Sequence, residues 1–270
     1  MSGRTECSTL PDALERLAGA TTVLVASDFD GALAEFCADP ADCVPAPGAM
    51  PALRALARLA GTHVAIVSGR DLATLAGLTG VQDGEPIVLV GSHGAESSAP
   101  GVVDGRLDDD QRILLDELTT LVAELVEDHP GARLERKRAA VAVHTRGLPD
   151  EDAEAALAAA EALAGGRDQV RVLRGKSVLE LSVSHADKGS TLRALADAVG
   201  AGAVFYSGDD VTDEDAFAVL DPARGDVTVK VGEGDTAAAH RVESVGGLVE
   251  TIARLLELRR ELAPEAAGPG

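Results

Sequence analysis

The stretch from Val23 to Leu33, VLVASDFDGAL, constrains the fold more than any other segment of this chain. Its first five residues are apolar or small and lack an alternating polar face, the pattern of a strand buried on both sides in a helix-covered parallel sheet. Asp28 and Asp30 follow at once, and Gly31 supplies a turn position without a Cβ. Two carboxylates are thus expected just past the carboxyl end of a central strand, where open α/β sheets bind ligands. Asp-x-Asp-Gly alone serves an Asp-rich turn equally well, so the later segments decide the matter.

Around that strand the chain alternates. A short helix is predicted from Pro11 to Ala18, and Pro47 to Leu59 sets Met50, Leu53, Leu56 and Leu59 at three-residue steps, an amphipathic helix. THVAIVSGR and PIVLVGSHGAE read as further buried strands, with a helix from Asp71 between them. Strand, helix, strand, helix, strand predicts an α/β fold with a Rossmann-like, doubly wound parallel sheet.

The alternation breaks near Ser97. A helix over about 107–127, with Leu114, Leu118, Leu121 and Leu125 on one face, leads into strands at 132–138 and 139–146, a helix at 150–164, and strands at 169–175 and 177–183. That order predicts an inserted α+β cap domain, residues 100–183, in a core made of 1–99 and 184–270. The core pattern resumes with a helix opened by Lys188, the strand AVFYSGDD, a helix over 212–220, the strand DVTVKVG and a helix over 245–262.

Charge narrows the function. Against 24 Lys and Arg stand 45 Asp and Glu, a net −21, which repels nucleic acid and anionic lipid at long range. A phosphorylated ligand would be repelled too, so a phosphate site needs its own cations. Cys7, Cys37 and Cys43 are odd in number and lack Cys-x-x-Cys spacing, which argues against a disulfide framework or thiolate zinc. No run of about 18 apolar residues occurs, so a cytoplasmic protein with no membrane partner is expected; the acidic charge argues against a nucleic-acid partner, and a monomer is expected without a sequence feature that decides it.

Four predicted strand or helix ends offer Asp28 with Asp30, Ser68, Lys188, and Asp209 with Asp210 and Asp213. A carboxylate can attack phosphorus to form an aspartyl-phosphate that water later hydrolyses. The approaching charges repel by about 4 kcal/mol at 4 Å and an effective dielectric of 20, so cations are required. Mg²⁺ suits a site with one or two carboxylates and a phosphate, with Asp28, Asp209 and the Asp30 carbonyl as ligands. Lys188 would supply the second cation, the Ser68 hydroxyl would hold phosphoryl oxygens, and Asp30 would exchange protons with the leaving alcohol and the water. Asp210 and Asp213 read either as caps of the following helix or as members of the metal shell.

Asp-x-Asp-Gly, Ser-Gly-Arg, a helix-opening lysine and Gly-Asp-Asp-x-Thr-Asp-Glu-Asp-Ala-Phe together resemble the haloacid dehalogenase-type phosphatases. Within them SGRD at 68–71, GSHGAE at 91–96 and GDDVTDEDAF at 208–217 are similar to the trehalose-6-phosphate phosphatase family. The resemblance implies hydrolysis of a small sugar phosphate, trehalose 6-phosphate, contacted by Gly69, Arg70 and His93 in the core. In the cap it implies sugar contacts from Glu135 with Lys137, His144 with Arg146, and Lys176 with Glu180. On the residues alone, Gly69 serves backbone geometry, His93 is a loop hydrogen-bonder, and Lys137 lies in a charge run that reads as a wet surface; for His144 and Arg146, which alternate with Val143, a solvated face is the minor alternative. The chain departs from the family pattern at Ala32, where Thr is usual, and at Ser182-Val183, where Arg-Pro is usual. Another disaccharide or pseudo-disaccharide phosphate is therefore the alternative substrate. A phospho-receiver domain is the competing class, and it requires neither an acid at Asp30 nor an insert.

Overall fold

The computed structural model describes residues 9–37, 39–101, 107–175, 177–184 and 186–262. The chain divides into two compact units, one running to Val103 and resuming at Asp187, the other from Asp104 to Ala186.

In the larger unit the elements run α1 (Leu10–Ala18), β1 (Val23–Ser27), α2 (Ala49–Leu56), β2 (Thr62–Val67), α3 (Leu72–Thr79), β3 (Ile87–Gly91) and β4 (Glu96–Ser97). The smaller unit holds α4 (Asp109–Asp128), β5 (Arg133–Arg136), β6 (Ala140–His144), α5 (Asp150–Ala162), β7 (Arg171–Gly175) and β8 (Val178–Ser182). The larger unit then continues with α6 (Lys188–Val199), β9 (Ala203–Gly208), α7 (Val211–Val219), β10 (Val227–Val231), β11 (His240–Val242) and α8 (Val245–Leu262).

The central sheet has the order β11-β10-β9-β1-β2-β3-β4. Its strands are parallel apart from β4, which pairs antiparallel with β3. This is the doubly wound α/β fold that the alternation predicts. Every residue of β1 is buried, because both faces are covered. Val23 and Val25 join Leu14 and Leu17 of α1, Leu53 and Leu56 of α2, and Leu248, Ile252 and Leu255 of α8. Leu24 and Ala26 meet Leu192 and Leu195 of α6 and Ala216 and Phe217 of α7 on the other side.

Sequence-coded caps fix the helix ends that matter. Asp71 opens α3 by accepting from Thr74 N at 2.9 Å, and Asp187 opens α6 by accepting from Ser190 N at 2.6 Å, each satisfying an orphan N–H. At the opposite edge of the sheet Arg259 of α8 is fully buried. It donates to the carbonyls of Ala18, Ala20, Ala60 and Gly61 and to Thr62 Oγ1, at 2.6–3.2 Å. One guanidinium thus satisfies the chain ends behind α1 and ahead of β1 and β2.

In the smaller unit β5, β6, β8 and β7 form an antiparallel sheet in that order. Val141, Val143, Leu179 and Leu181 face α4 and α5. The buried stripe of α4 is Leu115, Leu118, Val122 and Leu125, not the expected Leu114, Leu118, Leu121 and Leu125. Both sets have helical spacing, and packing on the sheet selects the face one residue round, leaving Leu114 and Leu121 half-buried. The two-residue β4 and three-residue β11 are too short to show a period in the sequence. No helix of the described residues is long and apolar enough to cross a membrane.

Candidate active site

The parallel register carries three strand ends to one place. Ser27 of β1 lies beside Ser207 of β9 and Ile66 of β2, so the residues that follow, Asp28, Asp209 and Ser68, emerge at the same sheet edge. Asp28 is nearly buried and its carboxylate is held from two sides. Oδ1 accepts from the Phe29 N–H at 2.7 Å, and Oδ2 lies 3.0 Å from Lys188 Nζ. Lys188, the first residue of α6, is itself buried and donates to Asp213 Oδ1 at 2.8 Å.

Asp213 is fully buried and both its oxygens are taken. Oδ1 also accepts from the Tyr206 hydroxyl at 2.7 Å, and Oδ2 accepts from the Asp210 N–H at 2.9 Å at the start of α7. This carboxylate joins β9, α6 and α7 through one side chain. Asp210 is exposed at the N-cap position and lies outside the acidic cluster, which among the described residues comprises Asp28, Asp209 and Asp213. Of the two readings of Asp210, helix cap or metal shell, the structure shows the first: it stands at the N-cap of α7.

Asp209 is the member with spare capacity. Its Oδ1 is buried without a hydrogen-bond partner. It occupies the space beside Gly31, where a Cβ would overlap its carboxylate. Gly31 has φ +75°, so glycine is required there both by backbone conformation and by close approach. Lys230, the fourth of the five residues of β10 and 5% exposed, donates to the Asp209 main-chain carbonyl.

These groups shift one another. Burial pushes the Asp28 carboxyl well above its ordinary range, and Asp213 and Asp209 add to this against the pull of Lys188. Burial likewise pushes Asp209 up to about 7, with Asp213 reinforcing it. Burial would lower Lys188, yet Asp213 and Asp28 hold it above its ordinary value. The Tyr206 hydroxyl is raised by burial and by Asp213, so it remains a donor. Three acids around one ammonium leave an excess of negative charge, and their ligand atoms lie within 4.8 Å of one another. A hard divalent cation fits this donor set, with Asp28 and Asp209 better suited than the fully engaged Asp213.

Asp30 lies outside the cluster. Both its oxygens take the Arg70 guanidinium, Nε to Oδ2 at 2.7 Å and Nη2 to Oδ1 at 2.6 Å. Arg70 Nη1 donates to the Pro40 carbonyl, and the guanidinium lies 5.7 Å from the Phe29 ring centroid. Asp30 and Arg70, expected as proton donor and ligand contact, are here engaged with each other, because a planar fork matches a carboxylate bidentately. Ser68 is buried at the end of β2, and its Oγ accepts from the Arg70 N–H at 3.2 Å. His93 has φ 53°, its N–H donates to the Ser68 carbonyl at 3.0 Å, and its ring fills the space beside Gly69.

In the smaller unit the register places Glu135 and Glu180 on either side of Ala142, on the sheet face away from α4 and α5. Glu180 is ion-paired with Lys137, and Glu135 Oε2 lies 2.6 Å from His144 Nε2. Arg146, just beyond β6, is exposed. Lys176 lies outside the described residues.

Sequence reasoning missed Tyr206 and Lys230. Tyr206 is the chain's only tyrosine, and Lys230 interrupts the apolar run of β10. A polar group in a strand buried on both faces must find a partner, and that was the available signal.

Comparison with known proteins places the chain in a family. The trehalose-phosphatase family profile matches residues 26–245. The trehalose-phosphate phosphatase of Mycobacterium marinum is 37% identical over 273 residues, 94% of this chain and 68% of that protein. Among solved structures, the C-terminal domain of Candida albicans trehalose-6-phosphate phosphatase superposes with TM-score 0.76 at 21% identity, covering 93% of this chain and 97% of that one. Aspergillus fumigatus trehalose-6-phosphate phosphatase gives 0.65 at 25% identity, covering 93% and 98%. Sequence likeness running through the Asp28 strand, the Lys188 helix and the Asp209 turn alike means that this chain belongs to the trehalose-phosphatase family.

Proposed function

We propose that this phosphatase hydrolyses trehalose 6-phosphate to trehalose and phosphate, with Asp28 as nucleophile. The observation that carries the reading is the fixing of one buried carboxylate between the Phe29 N–H and Lys188 Nζ, beside the unpartnered Asp209 Oδ1. An ammonium at 3.0 Å from Asp28 offsets the repulsion between carboxylate and phosphate. The phosphoryl group transfers from the sugar oxygen to an Asp28 oxygen, and water then releases it. The Ser68 hydroxyl supports the phosphoryl oxygens.

Asp28, Asp209 and the Asp30 main-chain carbonyl would hold Mg²⁺, which when bound supplies positive charge to the pocket and orients the phosphate. Asp30 gives its proton to the leaving alcohol and recovers one from water. It can do so only after Arg70 releases one of its two oxygens. The sugar is gripped by side chains on the helix-free sheet face of the smaller unit, Glu135, Lys137, His144 and Glu180, each already oriented by an ion-pair partner there.

Phosphate release from trehalose 6-phosphate, first with Mg²⁺ and then with a chelator, tests the reading. Turnover that the chelator abolishes supports it. Equal rates across a panel of mono- and disaccharide phosphates would remove the disaccharide assignment, and turnover by Asp28→Asn would remove the nucleophile.

A further inference from the structure

Lys230 is buried, charged and unused by the mechanism above. It stands in register with Gly208, the last residue of β9, and its ammonium is bonded to the main-chain carbonyl of Asp209 rather than to a carboxylate. Burying an ammonium is costly, and a methionine of similar length would fill the same space without that cost. The bond it makes falls at a particular point. Asp209 is the first residue past the strand, its carboxylate lies against Gly31, and its buried Oδ1 has no protein partner to orient it. The Asp209 carboxylate packs against Gly31 and its Oδ1 has no hydrogen-bond partner among the described residues, so its direction follows that of its backbone.

We infer that Lys230 is a positioning residue, which fixes the Asp209 backbone so that the unpartnered Oδ1 is presented to a divalent cation shared with Asp28. This rests on the proposal that Asp28 and Asp209 hold such an ion. Two effects of the ammonium oppose each other. Its positive charge repels a dication, so on charge alone its removal tightens metal binding. Its hydrogen bond holds Asp209 in place, so on geometry its removal weakens metal binding. Positioning dominates, because a bond from a charged donor to a buried carbonyl is worth roughly ten-fold or more in an equilibrium constant, whereas the repulsion is shared with three nearby acids that screen it.

The test is Mn²⁺ binding to the folded, substrate-free protein, followed by electron paramagnetic resonance of the free ion, with circular dichroism as the check on folding. Lys230→Met is expected to bind at least about ten-fold more weakly than the parent, and Lys230→Arg, which keeps both donor and charge, within about three-fold of it. Should the methionine variant not fold, Lys230→Gln, neutral and still a donor, takes its place, with an expected loss of about two- to five-fold. Binding by either neutral variant as tight as the parent's, or tighter, overturns the inference. A parent protein that binds no Mn²⁺ overturns instead the metal reading on which it rests.

Discussion

The carboxylate of Asp209 fills the volume that a side chain on Gly31 would need. The first turn of the chain after β1 and the last turn after β9 are therefore interlocked, although 178 residues apart in number. Gly31→Ala adds both a clash and a strained positive φ, of order 1–3 kcal/mol for the strain alone. The expected result is a kcat/KM lowered by at least about 100-fold, since a misplacement near 1 Å costs that much, together with weaker Mn²⁺ binding. A variant with parental rates would show that Asp209 is not needed where it lies.

Asp30, clamped by Arg70, should matter in proportion to how badly the leaving group needs a proton. Asp30→Asn is expected to slow trehalose 6-phosphate hydrolysis by about 10²–10⁴-fold. Hydrolysis of p-nitrophenyl phosphate, whose leaving group needs no protonation, should fall much less in the first half-reaction, measured as a burst of nitrophenolate. Equal losses on both substrates would deny Asp30 the role of acid.

Asp209 predicts the pH dependence of metal-free stability. Its folded-state value is about 7, against about 3.9 in an unfolded chain. Between those values the folded protein keeps a proton that the unfolded chain has released, so stability falls as pH rises through that window. Asp28, raised in the same direction, adds to the slope. Thermal melting of chelator-treated protein should show Tm decreasing from about pH 5 to about pH 7, a shallower decrease in Asp209→Asn, and recovery on adding Mg²⁺. A slope indifferent to the substitution would assign the effect to other groups.

Glu180 and Lys137 form a nearly buried pair. Glu180→Gln should raise KM for trehalose 6-phosphate by about ten-fold or more, the worth of a lost charged hydrogen bond. Its rate on p-nitrophenyl phosphate, which carries no sugar, should stay within about two-fold. A fall on both substrates alike would make the pair a structural tie rather than a sugar contact.

Arg259 gives the control. Its five donors serve four carbonyls and one hydroxyl at the sheet edge opposite the acids. Arg259→Met leaves those acceptors buried and unmet, at a cost of about 3 kcal/mol or more, read as a lower urea midpoint. The kcat of the protein that remains folded should be unchanged. A stable variant would show that water replaces the guanidinium.

The elements were legible wherever local rules write them into the chain. The apolar run of β1 followed by Asp28, the Asp71 and Asp187 caps, and the break in alternation near Ser97 each depend on neighbours within a few residues, and the doubly wound fold follows from their order. Asp28, Ser68, Lys188 and Asp209 could be nominated from the sequence because each stands at a predicted strand or helix end.

What those residues do to one another was decided by tertiary structure. Whether Asp213 faces a metal or a lysine, whether Asp30 is free or clamped by Arg70, and which stripe of α4 is buried depend on contacts between segments far apart in sequence. In the central sheet, strand register aligned Ser27 with Ser207 and Ile66 and so brought Asp28, Asp209 and Ser68 to one edge, and the packing of α6 on β1 added Lys188. Periodicity states which face of an element is apolar, but the partner of a buried charge is fixed only once the sheet has assembled and the cost of leaving that charge unpaired selects among the arrangements.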